Sequence, residues 1–183
     1  AIGLAFQGTL SNFASGVMLL IFRPFKVGDI ISAAGIEGTV QEIDLFTSEL
    51  TSFDNRRIII PNAAIFGSVI QNFSHFPTRR VDISVAVDCT ADLHKTRAAL
   101  DASIQSIPKV LADPPPQIVL KELSTTSLIW QMRLWCNTGD YWDVYEIGLQ
   151  EIKLAIDKAG IGVPYQSINV RIDDPGKLPI TKR

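Results

Sequence analysis

The stretch that most constrains this chain is its opening, AIGLAFQGTLSNFASGVMLLIFRP, an apolar run from Ala1 closed by Arg23 and Pro24. At ~1.5 Å of rise per residue, about 22 helical residues span roughly 30 Å, the thickness of a bilayer's hydrocarbon core. The run is therefore a membrane-helix candidate. Gln7, Ser11 and Ser15 recur every fourth residue on one helical stripe, while Leu10, Phe13, Val17, Leu20 and Ile21 occupy another. A lone lipid-facing helix has no use for a polar stripe; a helix packed against copies of itself around an aqueous path does. Gly3, Gly8 and Gly16, set among Ala1, Ala5, Ala14 and Ser15, permit close helix approach. Gly8 is the cheapest place for a bend, and a kink is expected there. Ordinary membrane-helix glycines, or a buried helix of a soluble protein, are the alternatives that periodicity leaves open.

Past Pro24 the pattern changes. Arg23 and Lys26 flank the apolar run, and positive charge at a helix end marks the cytoplasmic side, so the downstream chain is expected inside the cell. Short β-branched or alternating runs follow at Asp29–Ser32, Thr39–Ile43, Leu45–Thr51 and Arg57–Ile60, which read as a small, strongly bent antiparallel barrel with Gly28 and Gly38 at bends or bulges. From Thr78 the order is strand, helix, strand, strand, helix, strand. Val81–Val87 alternates, Asp92–Ile107 has helical spacing through Leu93, Thr96, Leu100 and Ile104, and Gln117–Glu122 and Ser127–Trp135 are strands. Tyr141–Ala159 is a helix with Val144, Ile147, Ile152 and Ile156 as core positions, stopped by Gly160, and Ser167–Ile172 is a last strand. That is the ferredoxin-like βαββαβ pattern. Asp140 reads as the N-cap of the second helix, and Trp142 and Tyr145 as core or interface aromatics.

Several function classes fall away. A chain of 183 residues, 46% hydrophobic and 20% charged, has the composition of one or two folded domains, and its net charge of −2 offers no general attraction to nucleic acid. No basic n-region or cleavage site precedes the apolar run, so no secretory signal is expected. Cys89 and Cys136 have neither zinc nor disulfide-framework spacing and read as thiols in a reducing compartment. His75 and His94 have no ligand-spaced partner, so no metal site is expected. No nucleophile, phosphate loop or acid–base constellation is present, so the chain is read as non-enzymatic and without a cofactor.

The ordered series GLAFQGTLSNFASGVMLLIFRPFKVGD, GTVQEI, IIIPNAAI, NFS, PTRR, GDYWDVY and AGIGVPYQS resembles the mechanosensitive channel of small conductance family, MscS, from Gly3 to about Ile172. The resemblance implies an α+β membrane-protein fragment. Residues 1–23 would be the C-terminal part of a third, pore-lining transmembrane helix that bends after the Gln7-Gly8 pair, with Leu4 as a gate residue and two upstream membrane helices lying before this chain. Residues 24–73 would form an Sm-like β domain, 74–166 a ferredoxin-like αβ domain, and 167–183 a strand of an inter-subunit parallel β-barrel with its tail. The implied partners are six further copies in a homoheptamer, membrane lipids, and permeant ions and small solutes; the implied place is the cell's inner membrane. Gly3, Gly8, Gly16, Gln7 and Asn12 are the expected hinge and packing residues, Arg23, Phe25 and Lys26 the membrane-interface residues, and Arg79 and Arg80 the lining of side portals. The implied function is a tension-opened channel that releases ions and small osmolytes on hypo-osmotic shock. The competing reading is a membrane-tethered β plus α/β binding scaffold without a pore.

Overall fold

The computed structural model describes residues 6–164. Two compact units divide at Arg79 and Arg80.

In the first unit, helix α1 (Gln7–Phe22) precedes a five-stranded antiparallel sheet. Its strands are β1 (Ile30–Ala33), β2 (Ile36–Ile43), β3 (Thr47–Thr51), β4 (Arg57–Pro61) and β5 (Gln71–Asn72), in the order β4-β3-β2-β1-β5. A one-turn helix, α2 (Asn62–Phe66), follows β4 directly. Between β1 and β2 the two-residue loop Ala34-Gly35 has φ of +50° and +75°, the mirror-image turn whose twist suits a tight hairpin. The register of β2 on β3 shifts between Val40 and Glu42, so the bulge lies at Gln41 rather than at Gly38. Gly38 serves close approach instead: a Cβ there would lie 2.7 Å from the Thr51 carbonyl oxygen. Gly28, with φ +93°, makes the expected bend. Leu19, Phe25, Ile31, Val40, Leu50, Ile60 and Ile65 form the core of this unit.

Helix α1 is shorter than the apolar run that contains it. Its 16 residues span about 24 Å at ~1.5 Å each, and no helix among the described residues is long and apolar enough to cross a membrane. Residues 1–5 of the expected membrane-spanning helix over 1–23 lie outside the described residues, and the described part alone does not make a membrane span, for two reasons. The described helix covers Gln7–Phe22, and Gln7, Thr9, Ser11, Asn12 and Ser15 dilute its hydropathy. At its other end Arg23 adopts the left-handed conformation, φ 48°, and its N–H bonds the Leu19 carbonyl, which with Pro24 next in line ends the helix.

The second unit takes β6 (Thr78–Asp88), α3 (Leu93–Ile104), β7 (Gln117–Leu123), β8 (Ser127–Asn137), a 3-10 turn (Thr138–Asp140) and α4 (Tyr141–Lys158). The sheet order is β6-β8-β7, so the last of the described strands is central. Val81, Ile83 and Val87 of β6, Trp130, Met132 and Leu134 of β8, Leu100 of α3, and Val144, Ile152 and Ile156 of α4 share one core, with Ile147 and Tyr145 at its edge. Gly148 sits where a Cβ would strike the Ile83 side chain. Gly160, φ +62°, ends α4. Asp92 caps α3, its carboxylate accepting from the Lys95 N–H at 2.7 Å.

One expectation is corrected in this unit and another is narrowed. Asp140 precedes α4 but makes no side-chain cap; it is itself the last residue of the 3-10 turn that leads into the helix, and its carboxylate instead meets Lys109 at 2.8 Å. Trp142 is 65% exposed, stacked edge-on between Tyr141 and Tyr145, and is not a core residue of the single chain. The expected strand Ser167–Ile172 lies outside the described residues.

Candidate functional site

The feature with functional content in the first unit is the seam where α1 lies on α2 and the β2–β3 loop. Asn12, Gly16 and Leu19, spaced i, i+4 and i+7, form the stripe that faces the sheet; Gly16 and Leu19 are buried. This stripe is neither of the two that periodicity singles out. Leu10, Leu20 and Ile21 of the apolar one are exposed, as are Gln7 and Ser11 of the polar one, while Ser15 is half-buried beside the seam.

Asn62 is the fixed point of the seam. Pro61 and Asn62 mark the transition from strand to helix, and Asn62 is fully buried. Its backbone N–H donates to the Phe46 carbonyl at 2.9 Å, its Nδ2 to the Asp44 carbonyl at 2.7 Å, and its Oδ1 accepts from Ser48 Oγ at 2.8 Å. The β2–β3 loop is thus tied to the start of α2 from three directions. A buried amide satisfied in this way holds one geometry, because each lost partner costs about 1–3 kcal/mol.

Helix α1 rests on this fixed point through Gly16 and Asn12. A Cβ on Gly16 would overlap the Leu45 carbonyl oxygen, stand 2.5 Å from Asn62 Nδ2 and 2.8 Å from the Leu45 carbonyl carbon. One turn earlier, Asn12 Oδ1 accepts from the Ala63 N–H at 2.9 Å, satisfying one of the orphan donors at the start of α2. The Asn12 Nδ2 donates to the Gly8 carbonyl at 3.0 Å. One side chain therefore bridges the first turn of α1 to the sheet unit. Phe13 packs beside this bridge on Phe46, ring centroids 5.9 Å apart.

Beyond its chain neighbours and the backbone of its own helix, Gly8 has no described atom within 4 Å of where its Cβ would stand, and Gln7 is exposed. Phe6, just before the helix, has φ −100° and ψ 1°, outside regular helix geometry. Gly3 and Leu4 lie outside the described residues. Of the three expected interface residues, Arg23 and Lys26 are exposed, whereas Phe25 is 2% exposed in the core with Leu19 and Ile31 and presents no ring to a membrane surface; this part of the expectation is corrected. Arg79 places its guanidinium 5.1 Å from the centre of the Phe73 ring, a cation–π contact, and Arg80 pairs with Asp82 through two bonds of 2.7 and 2.9 Å, which raises its pKa further.

No group of three or more His, Cys, Asp or Glu among the described residues could hold a metal ion. The second unit carries one charge cluster, Lys109 between Asp140 at 2.8 Å and Asp143 at 2.7 Å. Hydrogen bonds to Asp140 and then Asp143 push the Lys109 ammonium above the ordinary lysine range, and the bond from Lys109 holds the Asp140 carboxyl below the ordinary aspartate value. Sequence reasoning finds Asn12 and Gly16 but misses Asn62, Ser48 and Phe46. Asn62 is signalled only by its place after a proline at the end of a β-branched run, within the IIIPNAAI segment of the resemblance, and a buried amide leaves no periodic trace.

A short helix docked by a polar bridge on a bent β unit is followed along the chain by a separate α/β unit, so the chain reads as two structural modules. The family comparisons agree. Residues 8–75 match the mechanosensitive ion channel β-domain and residues 81–163 the C-terminal domain of mechanosensitive ion channel MscS. The chain belongs to the MscS family. It is 39% identical over 172 residues to the small-conductance mechanosensitive channel of Edwardsiella ictaluri, covering 94% of this chain and 60% of that protein. To the small-conductance mechanosensitive channel MscMJ of Methanocaldococcus jannaschii it is 28% identical, covering 94% of this chain and 51% of that protein. The chain thus spans little more than half of such relatives. The crystal structure of Helicobacter pylori MscS in its closed state superimposes with a TM-score of 0.89 at 28% identity, covering 95% of this chain and 69% of that one. Arabidopsis thaliana MSL1, at 22% identity and a TM-score of 0.73, shares the fold.

Proposed function

We propose that the protein containing this chain is a tension-opened ion channel, a homo-oligomer in the cell's inner membrane that releases ions and small osmolytes on hypo-osmotic shock. The observation that carries this reading is the seam of Asn12 and Gly16 on Ala63 and Asn62, which gives a helix of a channel family a defined resting dock on the unit beneath it. In this account the chain before Gln7 continues toward the pore, Leu4 side chains from the copies form an apolar constriction, and the path bends at Gln7-Gly8. Such a constriction is dry when narrow and wets on a small expansion, so no charge need move for the pore to switch. Tension shifts the balance between the two states by favouring the wider one. Seven copies arranged as a ring, Sm-like packing of 24–73, a ferredoxin-like 74–166 and a parallel barrel from 167–183 complete the arrangement, with Arg79 and Arg80 beside the routes that ions take.

The direct test is survival. Cells stripped of their own mechanosensitive channels and expressing the full-length protein should withstand a sudden fall in external osmolarity and release ions and small osmolytes within it. Lysis equal to that of the empty strain, with the protein present in the membrane, contradicts the proposal and favours a pore-less scaffold.

A further inference from the structure

We propose that the aromatic corner at the start of α4 binds a small quaternary ammonium solute, its trimethylammonium group seated against Trp142 beside Tyr141 and Tyr145. The site asks nothing of a pore and stands apart from the channel reading. The three rings occupy positions i, i+1 and i+4 at the start of the helix. Tyr141 and Tyr145 are half-buried and pack against the core of the second unit, so two of the three rings are held from beneath. Trp142 stands 65% exposed, its ring centroid 5.2 Å from that of Tyr141 and 6.1 Å from that of Tyr145, with interplanar angles of 88° and 85°. Edge-on contacts at these distances steady the indole against its neighbours. Rings that meet at a right angle form a corner, and their faces carry the negative side of the ring quadrupole, which attracts a cation.

The charges around the corner select for that sign. Asp140 precedes the rings, Asp143 lies between them and Glu146 follows them, against one base, Lys109, which meets Asp140 at 2.8 Å and Asp143 at 2.7 Å. Negative charge therefore remains in excess. Asp140 and Asp143 also offset the positive end of the helix dipole. Glu146, one turn on from Trp142, makes no ion pair among the described residues, and its Oε1 accepts from Gln150 Nε2 at 3.4 Å. Between Arg133 and Lys153 the chain has no basic residue that could neutralise it from the same segment. A compact ammonium holds its water tightly, whereas a trimethylammonium group is broad and weakly hydrated and exchanges water for ring faces at small cost. A phosphocholine headgroup brings the same cation together with a phosphate that the carboxylates repel. The corner thus suits a free solute.

The test uses the full-length protein in maltoside micelles, whose head groups carry no ammonium. Choline is the probe, and NMR saturation transfer from the protein to its N-methyl protons is the readout. The tert-butyl analogue of choline, with carbon in place of the charged nitrogen, has the same shape without the charge. Choline should bind about two- to fivefold more tightly than this analogue, the range that cation–π attraction supplies at an exposed site. Trp142→Leu should abolish that preference and Trp142→Phe should keep part of it; Trp142 lies outside the core, so both variants keep the fold. Glu146→Gln should weaken choline binding about twofold and leave the uncharged analogue unchanged. Phosphocholine should bind more weakly than choline. Equal binding of choline and its analogue, or choline binding untouched by Trp142→Leu, overturns the site. Phosphocholine that binds as tightly as choline does so too, by pointing to a lipid headgroup. Absence of transfer to choline also overturns it, and means that a second copy or another segment covers the rings.

Discussion

Gly8 and Gly16 receive the same substitution with opposite results. In a helix interior, glycine to alanine favours the helix by about 1 kcal/mol, less near an end. At Gly8 nothing opposes that gain, because the new methyl enters open space. At Gly16 the methyl meets the Leu45 backbone and the Asn62 side-chain amide, and neither can turn aside: the first is main chain, the second is held by two hydrogen bonds. Overpacking of this kind costs about 1–3 kcal/mol, and against main chain it falls in the upper part, about 2–3 kcal/mol, so after the helix gain the net effect of Gly16→Ala on the dock is a loss of roughly 1–2 kcal/mol. The assay is hydrogen exchange at the Ala63 amide, whose proton is held by Asn12 only while α1 is docked. Gly16→Ala should speed that exchange about five- to thirtyfold, the factor that 1–2 kcal/mol sets. Gly8→Ala should leave it unchanged or slower. Unaltered or slower exchange in Gly16→Ala would refute the claim that clearance at this glycine sets the dock.

Asn12→Leu should expose the Ala63 amide by a similar factor, since a hydrogen bond and its orphaned donor are worth about 1–3 kcal/mol, whereas Asn12→Asp keeps the acceptor and should retain most of the protection; equal loss in both would place the effect elsewhere. Reversing both charges, Arg79→Glu with Arg80→Glu, should shift the reversal potential of the channel in a salt gradient toward cations, and an unchanged potential would remove these residues from the ion route. In the second unit Asp140 titrates below 3.8 and Lys109 above 10.5, so their link contributes above about pH 4, is lost as the pH falls further, and is lost again only when the pH rises past the lysine range. The unfolding midpoint of Lys109→Gln should therefore lie slightly below that of the parent by a constant amount between about pH 5 and 9, with the gap closing below pH 4, and small because the groups are exposed. A gap that widens in acid contradicts that assignment.

Strands and long helices were legible in the sequence because alternation and the 3.6-residue period survive wherever one face is buried. Val81–Val87, Ser127–Trp135 and the α4 core positions Val144, Ile152 and Ile156 all fall where their patterns place them. The failures have local causes. Leu93 fits the α3 period but stands exposed in the first turn, before the helix reaches the core. Asp140 has the composition of an N-cap, yet Lys109, distant in sequence, takes its carboxylate. Phe25 looks like an interface aromatic because it sits between Arg23 and Lys26, but the left-handed turn at Arg23 sends the chain into the sheet and its ring into the core. The seam was half visible. Asn12 and Gly16 stand out as a polar and a small residue in an apolar run, while the residues they meet, Asn62, Ala63 and Leu45, are some 30 to 50 positions away and are brought there only by the fold.

Patch-clamp recording of the full-length protein in liposomes under stepped suction, with Leu4→Ser beside it, tests the central claim most directly. A tension-gated pore closed by an apolar ring predicts discrete steps that rise with suction in the parent and appear without suction in the mutant. Correctly inserted protein that stays silent in both, or a mutant that gates like its parent, would contradict the channel or its gate, respectively.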